Sequence, residues 1–591
     1  MPVFDTPSSP DPASTPPSWR EILLRMRPAG SLRYAEDLLV RFSPAERLIL
    51  YACSVALGLS TLAILGYTND AFSVTVPAQG GAITEGFIGA PRFVNPVLAI
   101  SQTDLDLSRL VFSGLMRATP DGTLIPDLAT DYSISPDGTT YTFTLRDDAR
   151  FHDGTLMTPD DVLYTIAMIK NPEVRSPHRA DWEGVEVTSN ARTITFTLPK
   201  PYAPFLENTT IGIIPRRVWE GVKANEFAFS PLNTEPVGSG PFEIKSAETD
   251  SSGAVTQYVL QPFSRFTLGA PYLQSITALF FDNERSLKNA HAAGTIDSLG
   301  GLSPQTLASS TWNGSTLYTT ALPRVFGLFF NQSHAPVLAD SAVRQALNDV
   351  IDKEALVMTV LKGYAVPLNT PFVPQQPYVS STSSIEEMHS ALQKAGWKFD
   401  DQEKTWSKNK KTLSISIDTA DTPELRETAD FVAATWRTLG VPTEVRLHDI
   451  TEFNTNVIRP RNYDVLLFGE VVGRTLDLYA FWHSKERQDP GLNLSLFANS
   501  TADSLLTKAR SSSNRKERDA LYSSFASLLQ KEVPAVFLFA PTFSYAIPTD
   551  VKGVRLSHIG DPSDRFSNVY EWYTTTERVW TIFTKAQDLT L

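Results

Sequence analysis

The 591-residue chain contains one cysteine, Cys53, so no intrachain disulfide can form. That scarcity leaves the compartment open, because a chain this large is stable outside the cell without cross-links. Basic charge is also in short supply. Fifty-two Lys and Arg face 65 Asp and Glu, for a net charge of -13 and a pI near 5.2, which argues against a nucleic-acid partner. The eight histidines are scattered. There is no His-Glu-x-x-His, no paired metal-ligand spacing and no Gly-x-Ser-x-Gly, so no catalytic residue, metal or cofactor is expected. Cys53 lies inside an apolar run, which removes it as a nucleophile. His152 beside Asp153 has the best local setting, yet Phe151-His152-Asp153-Gly154 reads as a tight turn. A carboxylate pair assembled by folding is not visible at this level.

At 65.2 kDa the chain exceeds one core, and two or three lobes are expected. Residues 1–47 stand apart: Pro2–Pro17 is Ser/Pro-rich. Trp19–Arg27 and Arg33–Phe42 could form short amphipathic helices, and six arginines run from Arg20 to Arg47. Two readings are open, a juxtamembrane tail drawn to lipid headgroups or a docking segment for a cytoplasmic partner. Leu48–Tyr67 then runs twenty residues without a charge, about 30 Å of helix, the depth of a bilayer's hydrocarbon. Arginines crowd its N-terminal side and the next basic residue beyond it is Arg92. The N-terminus is therefore expected in the cytoplasm and the body outside. A cleaved signal is disfavoured by the long lead-in and by Val76-Pro77-Ala78, a poor cleavage site. Asn69–Ala82 reads as a spacer.

The most legible stretch is Leu110–Asn171. Ser135-Pro136-Asp137-Gly138 has turn chemistry. Thr140–Leu145 alternates as a strand burying Tyr141, Phe143 and Leu145, and Arg192–Leu198 repeats the pattern, so the two could be antiparallel neighbours. Thr158-Pro159-Asp160-Asp161 opens a helix with Val162, Ile166 and Ile169 inward. Pro236–Phe242 is a glycine turn into a strand; no Gly-Lys-Ser/Thr follows, so it is no phosphate cradle. Asp340 caps a helix with Val343, Ala346, Leu347 and Val350 on one face, where Arg344 is expected to make a surface ion pair. Leu425, Ala429, Val432, Trp436 and Leu439 stripe a helix ended by Gly440, and a strand follows it, an α/β signature.

These segments resemble the family 5 extracellular solute-binding proteins, the oligopeptide- and dipeptide-binding proteins of ABC importers. The resemblance rests on Val111–Leu115, Pro126–Ala129, Ser135–Gly138, Tyr141–Phe143, Leu145-Arg146, Phe151–Gly154, Asp160–Val162, Pro236–Phe242, Arg324–Asn331, Asp340–Lys353 and Ala391–Trp397. It covers roughly residues 82 to 575. It implies an α/β fold with two lobes of the type II periplasmic-binding-protein kind and an extra subdomain, here preceded by a transmembrane helix. The expected layout is a tail (1–47), an anchor (48–67), a spacer (68–81), a first lobe (82–281) with an insert near 108–215, a second lobe (282–535) and a return to the first lobe (536–591).

The resemblance further implies a cleft that closes by a hinge on a peptide or similar solute, then delivery to permease subunits by a monomer, with no catalysis. Members are often anchored by a lipidated cysteine. Cys53, with only Leu48–Ala52 of the apolar run before it, fits a plain membrane-facing residue better. The ligand-facing candidates are Phe112, Phe326, Phe468, Glu470, Arg474, Asp477 and Trp482. In peptide-binding members an acid after the Tyr463-Asp464 motif pairs with the peptide amino group. Here Arg474 stands near that place, with Glu470 and Asp477 the nearest acids. Those three are either a solvated loop or cleft lining, and Phe112 is either core or a stacking surface. A ligand sensor signalling through the tail and a surface peptide hydrolase are the competing functions.

Overall fold

The computed structural model describes residues 39–373, 378–380 and 382–584, in two compact units. The expected helix Trp19–Arg27 and most of the one over Arg33–Phe42 lie outside these residues.

The first unit joins residues up to Val76 with those from Glu577 onward. Its helix Pro44–Phe72 encloses the expected Leu48–Tyr67. The Glu46 carboxylate accepts from the Ser43 N–H at 2.8 Å, half of a capping box that starts the helix. With 29 residues, an apolar composition and no residue buried, this helix can cross a bilayer by length and composition. The stretch expected as a spacer is ordered. The helix continues to Phe72, and Ser73–Ala78 forms a strand paired with Thr575–Trp580. The β-branched pattern Val74-Thr75-Val76 favours extended chain and supplies the reason.

The second unit, Pro77–Thr576, is built on a twelve-stranded sheet. Ala535–Pro548 runs through its middle. The first half of this strand pairs with Arg324–Phe330 (Phe326 opposite Phe539), which continues to Val465–Val471, Ile415–Ala420 and Thr443–His448. The second half pairs with Ser298–Gly300 and Ser315–Ala321 (Leu317 opposite Ala546), next to Ala82–Ile88 and Ser275–Phe281. One strand thus belongs to both lobes. The other passage between them is Leu322–Arg324, where the Leu322 N–H donates to the Pro541 carbonyl at 2.9 Å. Both passages carry a proline, Pro323 and Pro541. The lobe boundary expected at residue 282 therefore moves to 322–324. Ser298–Gly300 and Ser315–Ala321 find their ladder partners in the first lobe, and Leu287 packs there with Ile296 and Leu299.

Within the first lobe the paired alternations become neighbours: Tyr141 lies opposite Phe196, with Tyr141, Phe143 and Leu145 buried. The Ser135 turn closes through the Gly138 N–H at 2.8 Å from the Ser135 carbonyl. Asp161 begins the helix Pro159–Lys170 by accepting from the Thr158 N–H at 2.8 Å and the Arg216 N–H at 2.9 Å. Gly238 and Gly240 are needed for close approach, not for the turn: a Cβ there would lie 1.9 Å and 2.6 Å from carbonyls of the Leu110–Val111 backbone.

In the second lobe Asp340 caps the helix Ser341–Asp349 as expected, accepting from the Ala342 N–H. Arg344 is not a surface residue. It is 5% exposed, and its guanidinium donates to the carbonyls of Leu338, Ala339, Glu532 and Val533 at 2.6–3.2 Å. It closes helix and turn ends whose carbonyls would otherwise be buried unpaired.

Candidate functional site

A 590 Å³ cavity lies beside the two passages, with walls from both lobes. Phe87, Gln102, Asp106 and Arg565 come from the first lobe, Phe326, Leu361, Tyr364, Glu424 and Leu425 from the second. Mostly apolar walls with a few polar groups are the usual make-up of a small-molecule site. Phe326 is set by its cross-strand partner. Gly469 sits opposite it, where a Cβ would come within 2.7 Å of the Phe326 ring, and the ring's other neighbour is Phe539, stacked at 5.1 Å.

The floor is a closed electrostatic knot. Arg565 donates to both Asp106 oxygens, at 2.8 and 2.7 Å, and to Glu85 at 3.3 Å, with Phe566 4.1 Å beneath its guanidinium. Burial pushes the Asp106 and Glu85 carboxyls up from their ordinary values while Arg565 pulls them down; the net direction is upward. This charge is spent inside the protein and is not on offer to a ligand.

Two other charges on the walls are free. Neither the Arg324 guanidinium nor the Glu424 carboxylate has a hydrogen-bond or ion-pair partner among the described residues, and both are half-buried. Arg324 is two residues before Phe326 on the same strand, so the pleat puts it on the Phe326 face. Glu424 sits in the first turn of the helix Pro423–Thr438, held by its electropositive end.

Away from the passages the lobes are tied by side chains. Arg474 donates to the Asp564 carboxylate and to Glu207 at 3.2 Å, and the Thr475 N–H donates to Glu207 at 2.9 Å. Asp564 also accepts from Arg109 at 3.0 Å and from the Gly560 N–H at 2.8 Å. Burial works against the charge on Asp564, but Arg474 and Arg109 outweigh it and hold its pKa below the ordinary value. Arg510 adds a second tie. It pairs with Asp477 at 3.2 Å, lies over the Tyr202 and Tyr479 rings at 5.0 and 4.6 Å, and accepts from the Ala203 N–H at its carbonyl.

Of the seven residues expected to face a ligand, the structure brings Phe326 to the 590 Å³ cavity beside the passages. Phe112 is buried at the end of the helix Gln102–Val111 and borders a separate 270 Å³ pocket with Trp182 and Glu207. Phe468 is half-buried in the second lobe near Phe453. Trp482 is 1% exposed among Phe329, Phe525 and Phe537. The solvated-loop reading does not hold for Glu470, Arg474 or Asp477. Glu470 is 2% exposed with neither oxygen hydrogen-bonded, and burial drives its pKa well above the ordinary value. Arg474 has Asp564 as its anion, and burial raises Asp477 against the pull of Arg510. Arg324, Glu424 and Tyr364 were not among the expected residues; alternation along the Phe326 strand could have flagged Arg324.

His152 is part of the fold. Its Nε2 lies 3.1 Å from the Gly240 carbonyl and its ring stands edge-on to Phe263. Among the described residues no group of three His, Cys, Asp or Glu is placed to hold a metal.

A mixed sheet shared by two lobes, with a cavity beside the passages, defines the class of two-lobed solute-binding proteins. The chain belongs to the bacterial extracellular solute-binding proteins, family 5, whose model matches residues 123–489. It is similar to the oligopeptide-binding protein AppA of Bacillus subtilis (22% identity; 84% of this chain, 92% of AppA). It is also similar to the dipeptide-binding protein of Escherichia coli (23%; 87% and 99%). The solved structure of B. subtilis AppA with a nonapeptide shares the fold at a TM-score of 0.63 and 22% identity, over 84% of this chain and all of that one. These relatives are named as peptide-binding proteins, and the chain is a family 5 extracellular solute-binding protein.

Proposed function

We propose that the protein captures a short peptide or similar solute in the cavity beside the passages, closes its lobes on it, and presents it to ABC permease subunits from a membrane anchor. The observation that carries this is the pair of unpartnered opposite charges, Arg324 and Glu424, on apolar walls contributed by both lobes. A half-buried charge without a partner is costly unless something supplies one. A peptide carries both signs at its ends, and AppA and the E. coli relative are named for peptides. The work is differential affinity: a ligand that touches both lobes binds the closed state more tightly and shifts the population towards it. Neither the sensor nor the hydrolase reading gains support from the named relatives.

The test is calorimetry on the full chain in lipid nanodiscs with short peptides, free or blocked at each end. Binding weakened by blocking either end supports the reading. Equal affinity for doubly blocked peptides, or no binding across the panel with a neutral solute co-purifying instead, overturns it.

A further inference from the structure

The outer end of the long helix is rimmed by exposed aromatic and aliphatic side chains from the two ends of the chain. Tyr67 and Phe72 belong to the helix and are 77% and 57% exposed. Trp580, Ile582 and Phe583 come from the C-terminal segment and are 43%, 74% and 74% exposed. That segment is fixed beside the helix. The Trp580 indole N–H donates to Asn69 at 2.8 Å, and Arg578 pairs with Asp70 at 2.6 Å. Asn69 and Asp70 are the first strongly polar residues after the uncharged run Leu48–Tyr67. They mark where a helix that spans the bilayer leaves the hydrocarbon, and the hydrogen bond to Asn69 puts the Trp580 ring at that level.

We propose that Trp580, Ile582 and Phe583 insert into the outer lipid–water interface next to the helix. They would form with Tyr67 and Phe72 an aromatic collar that ties the C-terminal end of the chain to the membrane. The occupant of this apolar surface is lipid, because the surface is continuous with that of a helix that has no buried residue. An indole with a bonded N–H and an apolar body suits the headgroup boundary, where Trp and Tyr gather. Next to them, Ile and Phe reach the acyl boundary, as on interfacial segments. The Arg578–Asp70 pair neutralises the one cation of the described C-terminal strand at the entry point. The inference rests on the anchor reading, and the chain's single cysteine separates the two.

The experiment uses the full chain in phosphatidylcholine–phosphatidylglycerol vesicles. Native Cys53 reports the helix: a membrane-impermeant maleimide is expected to leave it unlabelled until detergent is added. In a Cys53→Ser background, bimane is attached at Ile582→Cys, at Phe583→Cys as a second position, and at Ser251→Cys in an exposed turn as the aqueous control. The two C-terminal probes are expected to emit to the blue of the control. They are also expected to be quenched several-fold more by lipids bearing a shallow nitroxide than by iodide. If Cys53 is protected while both probes quench like the Ser251 control, the collar is wrong and the anchor stands. If Cys53 reacts in intact vesicles, the anchor and the collar fall together.

Discussion

Arg474, on a loop of the second lobe, gives its guanidinium to Asp564 of the first lobe and so fills the place where the family resemblance leads one to expect an acid for the ligand. The anion it binds is the protein's own. The protein thus has a closing contact that needs no solute, and removal of Arg474 should favour the open state. Arg474→Ala is expected to raise the radius of gyration of the ligand-free protein in small-angle scattering. It should cost about 1–3 kcal/mol of stability, since Asp564 keeps Arg109 and backbone donors. Arg474→Lys should recover part of the compactness but not the two-carboxylate geometry. An unchanged radius for Arg474→Ala would show that the tie does not hold the lobes.

Arg324 and Glu424 should matter to the ligand and little to the fold. Charged hydrogen bonds are worth about 1.5–3 kcal/mol, so Arg324→Ala and Glu424→Ala are each expected to weaken peptide binding roughly 10- to 100-fold in calorimetry. Their melting temperatures should stay near that of the parent, because neither side chain has a partner to lose among the described residues. Full affinity in both variants would move the ligand elsewhere.

Glu470 predicts an inverse response to pH. Its carboxyl is buried without a partner and its pKa is raised by burial from 4.5. The folded state then holds a proton that the unfolded chain releases above pH 4.5. Stability from this group is complete below that pH and falls as pH rises towards the folded pKa. Glu470→Leu should stabilise the protein by at least about 1 kcal/mol at pH 8, with the gain vanishing near pH 4. Thermal melts across that range would check it, and a pH-independent difference would point to packing alone.

His152 predicts the opposite slope. Burial lowers its pKa from 6.5 to about 4, so it supports the fold above pH 6.5 and loses that support as pH falls towards 4. Its share is up to about 3 kcal/mol. His152→Gln should flatten the acid limb of the stability profile between those values. A limb as steep as the parent's would assign it to other groups.

Much of the fold could be read locally. The Ser135 turn, the capped helix at Thr158 and the two Thr-apolar strands each state their structure within a few residues, and Tyr141 meets Phe196 as the alternation requires. The polar side chains were harder to read. Arg344 sits on an amphipathic helix where a cation suggests solvent, and the carbonyls of Glu532 and Val533, far along the chain, join those of nearby Leu338 and Ala339 in making it a buried donor. Arg474 likewise reads as free until Asp564 is brought to it from 90 residues away. Glu470 was legible in principle: strand alternation puts it on the face of buried Leu466. A carboxylate is simply not expected there without a partner.

The two prolines where the chain passes between lobes have a mechanical meaning. A proline offers no N–H, so neither Pro323 nor Pro541 donates to the ladder where the chain passes between lobes, although their carbonyls accept from Val472 and Leu322 at 2.9 Å. The sheet is scored there like card along a crease. Bending at the crease meets no bond from either proline's nitrogen, and the side-chain ties of Arg474 at the rim add their own resistance to opening. Distant side chains can therefore be altered to retune the swing without touching the ladder that keeps each half rigid.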